Sequence, residues 1–239
     1  LNSVSSGRFR VLTNTVVTEF TGDETGVKLV RLADGEEVDT DLVLISAGVV
    51  PNTELAVDAG LTIGQTGAIW VGKDMRTSNP EIFACGDCAE KTSLIDGSKI
   101  WVPLGSTANK EGRAAAINIC GGEEYFDGIL GSAVTRCLGF TMSMTGFTET
   151  KAAKNGFSPI SVTVTKNDKV GYMPDVNNIT LKLVADSETG QLLGGQAVGS
   201  GDADKRINTL TSALIGKLSV SEFVNNDLTY APPFSTAIS

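Results

Sequence analysis

Two short apolar runs, each closed by a glycine, restrict the fold of this chain more than any other feature. Residues 42–48 (LVLISAG) follow Asp41, and residues 82–85 (IFAC) lead into Gly86-Asp87. Neither alternates apolar with polar residues. A strand built from either would therefore be covered on both faces, as in a parallel sheet flanked by helices. Both are far shorter than the roughly 18–20 apolar residues that a membrane span needs, and no other segment approaches that length.

The rest of the chain supplies partners for such runs. Residues 8–20 (RFRVLTNTVVTEF) read as a strand, and residues 27–32 as another. Ala33-Asp34-Gly35 turns the chain before Glu36-Glu37-Val38 reopens a strand, which makes a small β-meander. Pro51-Asn52 then breaks the first apolar run. Thr53 is placed to cap a short helix that Gly60 ends. Residues 104–119 (LGSTANKEGRAAAINI) carry a helical pattern stopped by Gly121-Gly122. Beyond Gly128 the pattern changes. Residues 133–145 are strand-like, a helix starts at Thr148 and closes at Gly156, and strands follow near 161–165, 178–185 and 192–198. A hairpin turn at Glu188-Thr189-Gly190, a helix over about 202–218 and a short one from Ser219 complete an α+β pattern.

Composition removes several functions. With 28 acidic against 19 basic residues and a net charge of −9, nucleic acid and anionic membranes are poor partners. There is no histidine, so a Ser-His-Asp triad, a Cys-His pair and any His-ligated metal site are excluded within the chain. Cys85, Cys88, Cys120 and Cys137 are too few and too irregularly spaced for a disulfide scaffold. With no basic and apolar leader at the start, the expected compartment is the reducing cytoplasm. The first residue is Leu1 rather than Met, and strand-like sequence follows almost at once. We expect a chain cut from something longer, although a removed tag would look similar.

The pattern that bears most directly on chemistry is Ile82-Phe83-Ala84-Cys85-Gly86-Asp87. A glycine at a strand end lets the backbone approach a ligand closely, and the carboxylate after it can accept hydrogen bonds from ligand hydroxyls. Taken alone, an ordinary Gly-Asp turn is the plainer reading. Cys85 and Cys88 form a C-x-x-C flanking Asp87, for which packing is favoured over redox work, and no second pair completes a zinc site. Arg113 and Glu149 read as a surface charge and a helix N-terminal charge.

Context adds weight. Thr40-Asp41 precedes the first run and Gly48-x-x-Pro51-Asn52 closes it. Residues 67–71 (GAIWV) and 75–80 (MRTSNP) lie between the runs, and residues 105–113 follow the second. Further on stand Thr145-Gly146-Phe147-Thr148-Glu149, residues 193–199 (LGGQAVG) and residues 230–235 (YAPPFS). Each motif is weak alone, but their order and spacing, over nearly the whole chain, resemble the pyridine nucleotide-disulfide oxidoreductases of the NADH oxidase, NADH peroxidase and coenzyme A-disulfide reductase group.

The resemblance implies an α/β remnant of two dinucleotide-binding domains followed by an α+β dimerisation domain. Residues 1–52 would end the NAD(P)-binding domain, 53–126 would form the returning half of the FAD-binding domain, and 127–239 the dimerisation domain. It implies that Asp87 binds the ribityl chain of FAD, with Gly86 permitting the approach. Leu104, Gly105 and Ser106 would lie at the flavin's pyrimidine edge, where a helix N-terminus favours negative charge. Gly48 would lie near the nicotinamide nucleotide. Tyr172 and Tyr230 resemble tyrosines that reach the partner subunit's active site, and an aromatic anchoring its own loop is an equal alternative for each.

The implied enzyme passes a hydride from NAD(P)H through FAD to a disulfide of the coenzyme A-disulfide or persulfide type. Peroxide or oxygen is the acceptor in the oxidase and peroxidase alternatives. The implied partners are a second copy of the chain and an N-terminal half of the same polypeptide, because no Gly-x-Gly-x-x-Gly loop occurs here and the family's redox cysteine has no counterpart. By itself the chain is therefore expected to be inactive. Two other readings remain: an isolated, non-catalytic dimerisation module, and an unrelated small-molecule-binding α/β protein whose Gly-Asp strand end is coincidental.

Overall fold

The computed structural model describes residues 10–236 and separates into two compact units, Leu1–Val50 and Pro51–Ser239. In the first unit β1 (Val17–Asp23) and β2 (Gly26–Leu32) form a hairpin, and β3 (Glu37–Asp39) returns beside β2. The expected turn is in place, with Asp34 accepting a 3.0 Å bond from the Glu36 amide. Arg31, near the end of β2, faces acidic cross-strand neighbours on both sides. It pairs with Glu19 of β1 and, at 2.9 Å, with Glu37 of β3. Opposite charges in directly opposed positions are what a solvated sheet face favours.

Two expectations fail in this unit. The strand read over residues 8–20 begins only at Val17; residues 10–16 form none, and residues 8 and 9 lie outside the described residues. Residues 42–48 form no strand either, and Leu42 and Leu44 are 78% and 86% exposed. A buried parallel strand needs hydrogen-bonding neighbours on its edges and helices on its faces. Among the described residues nothing pairs with this run.

The second unit opens with α1 (Glu54–Asp58), ended by Gly60 as expected. Thr53 sits at the N-cap without making a side-chain cap bond. Residues 61–85 are held by isolated bridges rather than ladders: Ile63 to Ile69, Ile69 to Ala89, and Arg76 to Phe83. The second apolar run is thus not a sheet strand. It is stabilised by packing, because Phe83, Ala84 and Cys85 lie against a core of Val71, Met75, Ala89, Ala114 and Ala115. A 3-10 turn over Gly86–Cys88 follows, then a hairpin of β4 (Lys91–Thr92) and β5 (Lys99–Ile100), then α2 (Gly105–Ile119). Thr107, Glu111, Ala114, Ala115 and Asn118 form its buried stripe, at helical spacing.

The C-terminal part is built around one antiparallel sheet. Its elements are β6 (Ala133–Cys137), β7 (Phe140–Gly146), α3 (Glu149–Lys154), β8 (Pro159–Asn167), β9 (Asn178–Asp186), β10 (Leu192–Gly199), α4 (Ala203–Ile215) and α5 (Val220–Val224). The strand order is β6-β7-β10-β9-β8. The single strand expected over 133–145 is in fact a hairpin. Leu138 and Gly139, with φ of 50° and 82°, turn the chain between β6 and β7. Leucine rarely adopts positive φ, so no Asn-Gly or Asp-Gly signal marked this turn.

Helix α4 lies across β7 and β10, burying Ile207, Leu210 and Leu214 with Leu192, Ala197 and Ile179. Gly195 of β10 permits this close packing, since a Cβ there would lie 2.5 Å from Leu210 Cδ2. Thr148 caps α3 by accepting from the Lys151 amide at 3.2 Å, and Ser219 and Glu222 form a capping box on α5. Among the described residues no helix is long and apolar enough to cross a membrane.

Candidate functional site

The turn Gly86–Cys88 packs against the first half of α2, and this contact organises the site. Gly86 adopts φ +80°, a conformation that side chains with a Cβ rarely take. Its pro-Cβ position lies 3.6 Å from the Ala108 methyl, so it is the backbone angle rather than crowding that calls for glycine. Asp87 follows on the exposed side of the turn. It therefore occupies a 3-10 turn after a run held by one isolated bridge, Arg76 to Phe83, and by packing that includes α2, not the end of a buried sheet strand. The Trp101 indole N–H donates to the Asp87 carbonyl at 2.7 Å, while the Asp87 carboxylate accepts no hydrogen bond among the described residues. It is an exposed acceptor on a fixed backbone.

Beneath the turn lies a feature that sequence reading missed. Lys91 and Glu111 form a buried ion pair at 3.6 Å, with side chains 0% and 1% exposed. Glu111 Oε2 accepts from the Gly86 amide at 2.7 Å, and Lys91 Nζ donates to the carbonyls of Gly86 at 2.8 Å and Ala89 at 3.0 Å. Burial pushes the Glu111 carboxyl above the ordinary carboxylate range, against the opposing pull of Lys91 and the Gly86 amide. Next to this pair, Glu90 is also buried and accepts from the Thr66 amide at 3.0 Å and its hydroxyl at 2.9 Å. Nothing in the sequence signalled the pair, because Lys91 and Glu111 lie 20 residues apart and meet only in the fold.

Leu104 stands at the N-cap of α2, and Gly105 and Ser106 form its exposed first turn. No side chain caps this end. The Thr107 and Ala108 amides donate to the Leu104 carbonyl, both at 3.0 Å, which leaves those of Gly105 and Ser106 as donors to an acceptor from outside. The structure thus brings Gly86 and Asp87 against the helix that begins with Leu104, Gly105 and Ser106. Gly48, with φ +89°, belongs to the first unit and lies on no strand. Tyr172 and Tyr230 are exposed and sit in the C-terminal part, where Tyr230 lines an open cavity of about 780 Å³ with Val170 and Gly171.

Cys85 packs on the core of Val71, Met75, Ala89, Ala114 and Ala115, whereas Cys120 and Cys137 are exposed. All four cysteines are free. Burial, then the neighbouring Cys88 and Glu111, hold the Cys85 thiol above its ordinary value, which disfavours the nucleophilic thiolate. Cys88 donates its S–H to the Cys85 carbonyl at 3.4 Å. Among the described residues no cluster of His, Cys, Asp or Glu could hold a metal ion.

Comparison with known proteins identifies the family. A family model described as pyridine nucleotide-disulphide oxidoreductase matches residues 7–112, and the model of that family's dimerisation domain matches residues 135–239. The chain is 40% identical over 204 residues to an NAD(P)H sulfur oxidoreductase (CoA-dependent) of Pyrococcus furiosus, covering 85% of this chain and 46% of the relative. It is 36% identical to an NADH oxidase of Methanocaldococcus jannaschii, covering 84% of this chain and 45% of that protein. The solved structure of an NAD-dependent persulfide reductase from A. fulgidus superposes with a TM-score of 0.89 at 39% identity, over 94% of this chain and 42% of that one. The chain spans about half the length of the curated relatives it matches. Its fold, Rossmann-like sequence followed by a dimerisation domain, is that of these enzymes, and the chain belongs to the pyridine nucleotide-disulphide oxidoreductase family.

Proposed function

We propose that these residues supply part of the FAD site and the subunit interface of an NAD(P)H-dependent flavoenzyme that reduces a disulfide or persulfide of the coenzyme A type. The observation that carries this reading is the free Asp87 carboxylate held on a rigid turn against the helix that starts with uncapped Leu104-Gly105-Ser106. A free acceptor and a set of free amides beside it fit a ligand with both hydroxyls and an electron-rich edge. Asp87 would hold the ribityl hydroxyls, and the first turn of α2 would face the pyrimidine edge. When bound, FAD supplies the hydride relay from NAD(P)H, and the protein's part is to bind and orient it. Gly48 would line the nicotinamide side, with the nucleotide domain ending near residue 52 and the FAD-binding half near residue 126.

The reading assigns the reactive cysteine and the phosphate-cradling loops to sequence beyond these 239 residues, so the chain alone would be inactive. The second copy would seat on the face of the sheet opposite α4. There Thr135, Met142, Met144, Gln196 and Val198 line an apolar hollow of about 470 Å³. Tyr172 and Tyr230 would reach the active site of the partner. Four free thiols suit a cytoplasmic setting. The named activity of the Pyrococcus furiosus relative supports a coenzyme A-linked sulfur substrate. The Methanocaldococcus jannaschii relative supports oxygen as the alternative acceptor, with the same site residues. A non-catalytic dimerisation module is the reading that remains if no flavin is held.

The test is FAD retention in the holoenzyme carrying Asp87→Ala. A lost charge-assisted hydrogen bond contributes about 1.5–3 kcal/mol, so affinity falls by roughly tenfold or more, read from the visible flavin band after dialysis. Undiminished retention rejects the assignment of Asp87.

A further inference from the structure

We propose that Lys91 and Glu111 are positioning residues, a buried clamp that grips Gly86 by both of its backbone polar atoms and so fixes Asp87 relative to the start of α2. The amide of Gly86 donates to Glu111, its carbonyl accepts from Lys91, and the two side chains pair with each other. Gly86, at φ +80°, opens a three-residue turn between two isolated bridges, Arg76 to Phe83 and Ile69 to Ala89, and lies in no ladder itself. The clamp does what a sheet would otherwise do. Because Glu111 is part of α2, the same bond ties the turn to the helix whose first residues are Gly105 and Ser106.

Burying two charges costs several kcal/mol in general, and a hydrophobic pair would pack as well or better. The pair therefore contributes something that packing does not, and on this geometry it is the setting of one peptide. Lys91 also bonds the Ala89 carbonyl, so one ammonium group ties both ends of the turn, beside the Ile69 amide that donates to the Cys88 carbonyl at 2.8 Å.

The inference rests on the reading of Asp87 as a cofactor-binding carboxylate, but its first test does not. In the isotopically labelled chain, amide hydrogen exchange is compared between the wild type, Lys91→Met, and the double variant Lys91→Met/Glu111→Gln. The double variant leaves no unpaired buried charge, and the side-chain amide oxygen it introduces can still accept from Gly86. Thermal stability therefore recovers most of what Lys91→Met loses. The Gly86 carbonyl keeps the Ala89 amide, at 3.1 Å, but lacks its ammonium donor, so amides of residues 86–89 exchange faster in both variants than in the wild type. Unchanged exchange there, or exchange that recovers together with stability, overturns the clamp.

The second test is FAD affinity of the holoenzyme with the double variant, expected to fall about tenfold despite restored stability, in line with one lost charge-assisted bond. If Asp87→Ala weakens FAD binding and the double variant does not, the clamp alone is refuted. If neither change matters, the flavin reading has failed and the clamp's role falls with it.

Discussion

Residues 42–50 (LVLISAGVV) and β10 (LLGGQAVG) are similar in composition and opposite in fate. In β10, Leu192 and Leu193 are 1% and 0% exposed; in the first stretch, Leu44 is 86% exposed. The difference is not local propensity. β10 has a hydrogen-bonded neighbour on each edge, β7 and β9, and α4 across one face. Among the described residues, the run at 42–48 has no strand neighbour at all. An apolar run specifies that it should be buried; what buries it comes from elsewhere in the chain or from another chain. The C-terminal sheet carries its own covering, and the 42–50 run does not.

The strongest way to break this contrast is to hollow out the self-sufficient side. Leu193 is fully buried with Phe147, Ala152 and Val184. Leu193→Ala removes its contacts and leaves a cavity, and such changes cost about 2–5 kcal/mol. Chemical denaturation of the chain followed by far-ultraviolet dichroism reads the loss directly. A cost under about 1 kcal/mol would mean that the sheet is loosely packed and that the contrast with the exposed run is one of degree.

A smaller effect tests whether the sheet also seals its own turns. Asp186, at the end of β9, accepts from the Thr189 hydroxyl at 2.7 Å, the Ser158 amide at 3.1 Å and the Thr189 amide at 3.2 Å. The Thr189 hydroxyl first, and the backbone amides after it, hold this carboxyl below its ordinary value of 3.8. A carboxyl depressed in the folded state stabilises the fold above its unfolded pKa, and the contribution is lost as pH falls through the folded value. The wild type should therefore melt above Asp186→Asn at neutral pH, with the gap closing in acid. A gap independent of pH would show that the Asp186 carboxylate does not carry this turn.

How far the sequence foretold this structure varies along the same line. Local signals were read correctly: Ala33-Asp34-Gly35 turned the meander, Thr148 and Gly156 bounded α3, and residues 104–119 gave α2 almost to the residue. These elements are decided within a few residues. The β6–β7 turn was missed because Leu138 adopts positive φ only under the demand of the sheet around it. The Lys91–Glu111 pair was invisible for a different reason. Each residue alone is an ordinary surface type, and only the fold brings the two together under Gly86. At the candidate site, sequence singled out Gly86, Asp87 and the start of α2, but read residues 82–85 as a ladder strand when one isolated bridge and core packing support them.

The smallest expected effect is the most direct check on the 42–50 run. Leu44→Ala removes a side chain that contacts little within the chain, so its stability should change by no more than about 0.5 kcal/mol. The same substitution in the holoenzyme should cost more, because there the run would gain the sheet neighbours and helices that its composition calls for. The two measurements together separate an intrinsically exposed loop from a strand awaiting its sheet. Equal, small costs in both settings would establish that residues 42–48 are surface wherever they occur, and the proposed place of Gly48 beside the nicotinamide would lose its structural basis.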